Sequence, residues 1–231
     1  MTPLEIDTIL NAAEVEIAFG GVPDLKATGF WRAVAAVKRD PGLVEPFADR
    51  IGAIDRAAFT SWARLVVPIW IGTVLAAVGA LVGLSLISAS AFIAEWNGIM
   101  FVGGAAVLIG TTHGLGHLVV GYLTGIRFFA WFIGRGRPQP GVKTDYATYL
   151  SATPRSRAWM HASGAIVTKA IPFILLPVAF AASAIPTWVP IALVALGVIQ
   201  IITDVAWSTR ASDWAKFKRE MRYVRRRMTD D

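Results

Sequence analysis

Four long apolar stretches fix what this chain can become. They run roughly Leu65–Ser88, Gly98–Leu123, Ala162–Ala182 and Trp188–Trp207. Each is about 20 residues or slightly more, enough to cross a hydrocarbon core of ~30 Å as a helix. The expected fold class is therefore an all-α polytopic membrane protein with about four transmembrane helices. Across the 231 residues, 55% are hydrophobic, above the share usual for a soluble domain.

Lys and Arg set the expected orientation. They cluster before the first stretch (Lys26, Arg32, Lys38, Arg39, Arg50, Arg56, Arg64), between the second and third (Arg127 to Arg157), and in the tail (Arg210 to Arg227). The other two connections, near Glu95–Asn97 and Pro186–Thr187, carry none. By the positive-inside rule both termini are expected to be cytoplasmic, and the membrane to be the plasma membrane. Tryptophans fit the same frame, with Trp62, Trp131, Trp159 and Trp207 at the inner interface and Trp96 and Trp188 at the outer one. The N-terminus does not read as a signal peptide, because Glu5, Asp7, Glu14 and Glu16 interrupt it. Three regions follow: a cytoplasmic N-terminal segment over 1–60, a transmembrane domain over 61–210 and a basic cytoplasmic tail over 211–231. Gly52–Trp62 is expected to form a short interfacial helix, and Ser212–Met228 a basic helix against the inner leaflet. The net charge of +6 belongs to this membrane flanking and not to nucleic-acid binding.

Polar residues inside the apolar stretches carry the functional signal. Two of the three histidines, His113 and His117, are four residues apart in the second stretch. They share one helix face and can reach one metal ion. The chain has no cysteine, so histidine and carboxylate are the expected metal ligands. Asp204 near the inner end of the fourth stretch closes a three-ligand site with an open fourth position, the usual layout of catalytic zinc. His161, at the start of the third stretch, is an alternative or additional ligand, and Lys169 is expected to snorkel or pair with a carboxylate. Gly110, Gly114, Gly121 and Gly125 have the spacing of small residues at close helix packing. Haem ligation fits poorly with both histidines on one helix, and a transport path fits poorly with polar residues only in the inner half.

The block Thr112-His113-Gly114-Leu115-Gly116-His117-Leu118, with Gly121, Gly125, Ile126 and Arg127 after it, resembles the H-E-x-G-H helix of the site-2 protease family of intramembrane zinc metallopeptidases and its exit. The likeness extends over roughly residues 105–215. It implies a membrane-associated β-hairpin between the second and third spans, for which Phe128–Ile133, the turn-rich 134–141 and Val142–Leu150 fit. Pro154–Trp159 and His161-Ala162-Ser163-Gly164-Ala165 resemble the basic approach to the next helix, and Asp204 matches the third ligand. The resemblance implies zinc on His113, His117 and Asp204 and hydrolysis of peptide bonds in membrane proteins, with a transmembrane or membrane-proximal peptide as substrate or partner. Gly114 stands where the family has its glutamate base. Asp145 and Asp213 are carboxylates on the matching side of the membrane that could stand in for that base, and Glu95 is on the other side. The alternative is a non-proteolytic metal-binding protein that binds transmembrane partners.

Overall fold

A computed structural model of the chain describes residues 1–135, 137–206 and 212–230, without the side chains of 137–139, 205 and 226–230. Trp207 and Arg210 lie outside the described residues. The chain is mostly helical, with one small sheet, and divides into two compact units, each assembled from separated stretches of sequence.

The first unit gathers residues 1–69, 121–157 and 221–231. Helix α1 (Pro3–Ala18) starts at a capping box: Thr2 Oγ1 accepts from the Glu5 amide, and Glu5 accepts from the Thr2 amide at 2.7 Å. Its face Ile6, Leu10 and Ala13 is buried, at the i, i+4, i+7 spacing of an amphipathic helix. Helix α2 (Phe30–Arg39) adds Phe30, Val34 and Val37, and α3 (Val44–Trp62) adds Phe47, Ile51 and Ile54 to the same core. Arg50 on α3 ties back to α1 through Asp7 at 2.5 Å and Glu14 at 2.6 Å. The N-terminal 60 residues are thus a packed helical layer, and Gly52–Trp62 is the second half of α3.

The sheet has three antiparallel strands in the order β1 (Leu65–Pro68), β2 (Phe128–Gly134), β3 (Arg137–Thr144). Two sequence expectations are corrected here. Leu65–Pro68 was expected to open the first transmembrane helix, but it is a strand, with Val67 opposite Trp131. The β-branched pair Val66-Val67 lies immediately before Pro68, and the residue before a proline is driven out of the helical region. The second half of the hairpin also does not run to Leu150. It ends at Thr144, because Asp145 accepts from the Ala147 amide at 3.0 Å and caps helix α6 (Tyr146–Ser151).

Asp55 on α3 is only 5% exposed and pairs with Lys143 of β3 at 2.6 Å. The Lys143 ammonium also lies 5.1 Å over the Phe59 ring. Burial raises the Asp55 carboxyl and Lys143 counteracts it, leaving it above its ordinary value.

The second unit gathers residues 70–120 and 158–220. Among the described residues three helices are long and apolar enough to cross a membrane: α4 (Ile69–Ala89), α5 (Asn97–Leu123) and α7 (Pro154–Ala181). Helix α8 (Trp188–Ala206) has a shorter apolar run, Trp188–Asp204. Helices α4 and α5 cross glycine on glycine. A Cβ on Gly104 would lie 2.6 Å from the Gly83 carbonyl oxygen, and one on Gly83 would lie 2.9 Å from that of Gly104, so only bare backbones fit. Phe101, Leu108, Leu175, Val189 and Leu193 fill the space inside. The outward faces remain apolar: Trp70, Leu75, Ile99, Ile174, Phe180 and Ile191 are exposed. Helices apolar on both faces belong in lipid.

Helix α9 (Asp213–Asp230) follows, and its first two turns belong to this unit.

The Asp55–Lys143 pair gives a direct test of the first unit. Lys143→Met strands a buried carboxylate and is expected to cost about 3–5 kcal/mol. In chemical denaturation in detergent, the double change Lys143→Met/Asp55→Leu should recover most of that loss.

Candidate metal centre

Helix α5 presents His113 and His117 one turn apart, their rings edge to face at 88°. What sets their positions is α7. A Cβ on Gly116 would lie 3.2 Å from Gly164 Cα and from the Ser163 carbonyl oxygen, and one on Gly164 would lie 2.5 Å from His117 Nε2. The two helices therefore touch through glycines directly behind the imidazoles. Of the glycine series expected to mark close packing, Gly110 and Gly125 have nothing within 4 Å, and Gly125 is a left-handed residue with φ +82 just past the end of α5. The close approach falls on Gly116 and Gly164.

His117 is 7% exposed, and its Nδ1 lies 2.7 Å from the Met160 carbonyl oxygen of α7. A carbonyl only accepts, so Nδ1 carries the hydrogen and Nε2 presents its lone pair. That lone pair faces His113 Nε2 at 3.3 Å. The third group is Asp213, whose Oδ2 lies 3.2 Å from His113 Nε2 and 3.3 Å from His117 Nε2. Three ligand atoms thus form a nearly equilateral triangle among the described residues.

That triangle can be tested for what it fits. The centre of a regular tetrahedron with edges of this size lies about 2.0 Å from each corner, which is the Zn–N and Zn–O bond length. Without a cation the three atoms form a hydrogen-bonded set, an Nε2–H being shared between Asp213 Oδ2 and the facing Nε2 with the donor set by the tautomer. A cation at the centre satisfies all three atoms with both imidazoles neutral.

Asp213 reaches the site because Ser212 caps α9. The Ala215 amide donates to Ser212 Oγ at 3.2 Å, which leaves Asp213 in the first helical turn, where a carboxylate is favoured. Phe217 packs edge-on against Trp159 of α7 at 5.6 Å and against Trp214 at 5.7 Å. Trp159, expected at the inner interface, is part of this clasp. The other carboxylate oxygen, Oδ1, accepts from Lys216 Nζ at 3.1 Å. Burial pushes the Asp213 carboxyl up, but hydrogen bonds from His113 and His117 and the charges of His117 and Lys216 outweigh it and hold the carboxyl far below the carboxylate range.

Asp204, the expected third ligand, is elsewhere. Its carboxylate pairs closely with Lys169, joining α8 to α7. Lys169 Nζ also donates to the Ala165 carbonyl at 3.3 Å. Two opposite charges in an apolar bundle neutralise each other, so the lysine expected to find a carboxylate takes the very one assigned to the metal. His161 is not one of the three converging residues; it lies within electrostatic reach of Lys216, Glu220, His117 and Asp213. Asp145 caps α6 and pairs with Arg56 at 3.5 Å. Gly114 is buried and brings no proton acceptor. The signal that could have found Asp213 was the Ser-Asp helix start just after the last apolar stretch.

No family model matches the sequence, and neither a curated protein nor a solved structure matches the chain.

The lowered Asp213 carboxyl gives a pH prediction. A carboxyl held below its unfolded value near 3.9 stabilises the folded state above that pH and ceases to do so as the pH falls below it. In chelator-treated protein, the near-ultraviolet circular dichroism of the Trp159–Phe217–Trp214 cluster should hold from neutrality to about pH 4 and decline below. Asp213→Asn should lack this acid-sensitive component.

Proposed function

We propose that this chain is a membrane metalloprotein of the site-2 protease type, holding one zinc-class ion on His113, His117 and Asp213, with a peptide segment of a membrane protein as its substrate. The observation that carries the reading is the triangle of Nε2, Nε2 and Oδ2 atoms with edges of 3.2–3.3 Å. When bound, zinc supplies Lewis-acid polarisation of a carbonyl and lowers the pKa of water.

The chain's own residues do the rest. The Met160 carbonyl holds the His117 ring in one tautomer and one orientation. Gly116 and Gly164 let α5 and α7 close to contact, which keeps both imidazoles on one spot. Asp213 contributes the negative charge that offsets a divalent cation, and Lys216 steadies its second oxygen. Two histidines and one carboxylate leave a fourth position for a reacting group.

A second reading follows from Gly114. A glutamate there would take and return the proton in peptide hydrolysis, and its absence costs about 10²–10⁴-fold in rate. This favours a descendant that keeps the metal centre and binds transmembrane partners without cutting them. In either reading we place α8 across the membrane as a fourth span with both termini cytoplasmic, supported by its apolar run Trp188–Asp204 and by the alternation of basic and non-basic connections.

Elemental analysis of the detergent-purified protein is the test. The wild type is expected to hold about one zinc per chain, as a single three-ligand site requires. His113→Ala, His117→Ala and Asp213→Ala should each lose it, while Asp204→Asn should keep it. A wild type without metal, and with unchanged folding in the variants, sinks the reading. Gly164→Ala should keep the helix content but lower zinc affinity about 10–100-fold by displacing His117. Gly114→Glu separates the two functional readings: a gain in cleavage of a membrane-protein substrate supports a peptidase lacking only its base. Metal bound without any cleavage, in wild type and variant alike, supports the binding protein.

A further inference from the structure

Helix α9 has two jobs on two faces. One face carries Asp213, Phe217 and the fully buried Glu220. The other carries Lys218, Arg219, Arg222 and Arg225, all exposed. Positions 218, 222 and 225 are spaced as one helical stripe, with 219 beside it. None of the four enters an ion pair or side-chain hydrogen bond among the described residues. Only six residues separate Ala206, the end of apolar α8, from Asp213. A chain of that length reaches about 25 Å at most, so α9 stays beside whatever surface α8 emerges from. Four exposed cations on one stripe, without an ion-pair partner among the described residues and tethered beside a bilayer, match the charge of anionic headgroups.

We propose that the stripe Lys218, Arg219, Arg222 and Arg225 binds anionic lipid headgroups, and that this contact holds Asp213 against His113 and His117, so that lipid charge sets the affinity of the metal centre. The coupling half rests on the metal reading above. Its physical basis is that Asp213 is the only one of the three groups outside the apolar helices. It has to be brought to the site by α9, and any contact that already restrains α9 removes part of the ordering cost of metal binding. The linkage is reciprocal, so metal should also tighten α9 on the surface.

The experiment uses the full chain in vesicles of phosphatidylcholine alone or with one third phosphatidylglycerol. Zinc affinity is measured for the wild type and for Lys218→Gln/Arg219→Gln/Arg222→Gln/Arg225→Gln. An anionic surface concentrates Zn²⁺ near either protein, so the readout is wild type against variant in the same vesicles. The expected result is about tenfold tighter binding by the wild type in phosphatidylglycerol vesicles, no difference in phosphatidylcholine, and loss of the difference at high salt. Equal affinities in phosphatidylglycerol overturn the coupling.

A second readout needs no metal. The chain has no cysteine, so a spin label on Val224→Cys reports α9 alone. It should be immobilised by phosphatidylglycerol in the wild-type background and not in the four-Gln background. Should no preparation bind zinc, the metal reading fails and the coupling with it, while the label decides the lipid contact separately. A label unmoved by phosphatidylglycerol, or moved equally by a soluble polyanion such as heparin, overturns the lipid assignment.

Discussion

Three ligand-type atoms, two imidazole Nε2 and one carboxylate Oδ2, held 3.2–3.3 Å apart are the constraint on which the account of the second unit rests. The Met160 carbonyl takes the Nδ1 hydrogen of His117, which turns its Nε2 toward His113 Nε2 and Asp213 Oδ2. Such a cluster is held by shared Nε2 hydrogens without a cation and offers three ligand atoms to one. The surrounding structure is what forces the atoms together: α5 and α7 meet at Gly116 and Gly164, and α9 is clasped by Trp159 and Phe217.

The other charges of the bundle are arranged so as not to compete. Lys169 and Asp204 consume each other between α7 and α8. An unpaired carboxylate at lipid depth would be costly, so Asp204 is better explained as the counter-charge of Lys169 than as a ligand without a partner. Asp213, by contrast, belongs to a helix outside the apolar spans and reaches inward from it. In the proposed centre two ligands come from the apolar helix α5 and one from α9, outside the apolar spans.

Much of this was legible in the sequence. The apolar runs gave α5 nearly residue for residue, and the i, i+4 spacing of His113 and His117 put them on one face. What failed was local chemistry that hydropathy overrides. Leu65–Pro68 is as apolar as the helix after it, yet the Val-Val-Pro order makes it a strand. Asp145 ends a strand because its carboxylate caps α6. The N-terminal 60 residues read only as a cytoplasmic segment, without a fold of their own, because their apolar residues are spread at helical spacing and meet only when α1, α2 and α3 pack. Asp213 was read only as a carboxylate that could stand in for the missing base, not as a ligand, for a different reason. Hydropathy marks which stretches are apolar but not which elements come together laterally, so the place of a polar helix start beyond the last apolar stretch cannot be inferred from it.

X-ray absorption at the zinc edge of the metal-loaded protein tests the central claim most directly. The account predicts a four-coordinate shell of nitrogen and oxygen at about 2.0 Å with the multiple-scattering pattern of two imidazoles. It also predicts that Asp213→Asn changes this shell while Asp204→Asn leaves it untouched. A six-coordinate shell dominated by water, or a shell altered by Asp204→Asn and not by Asp213→Asn, would contradict it.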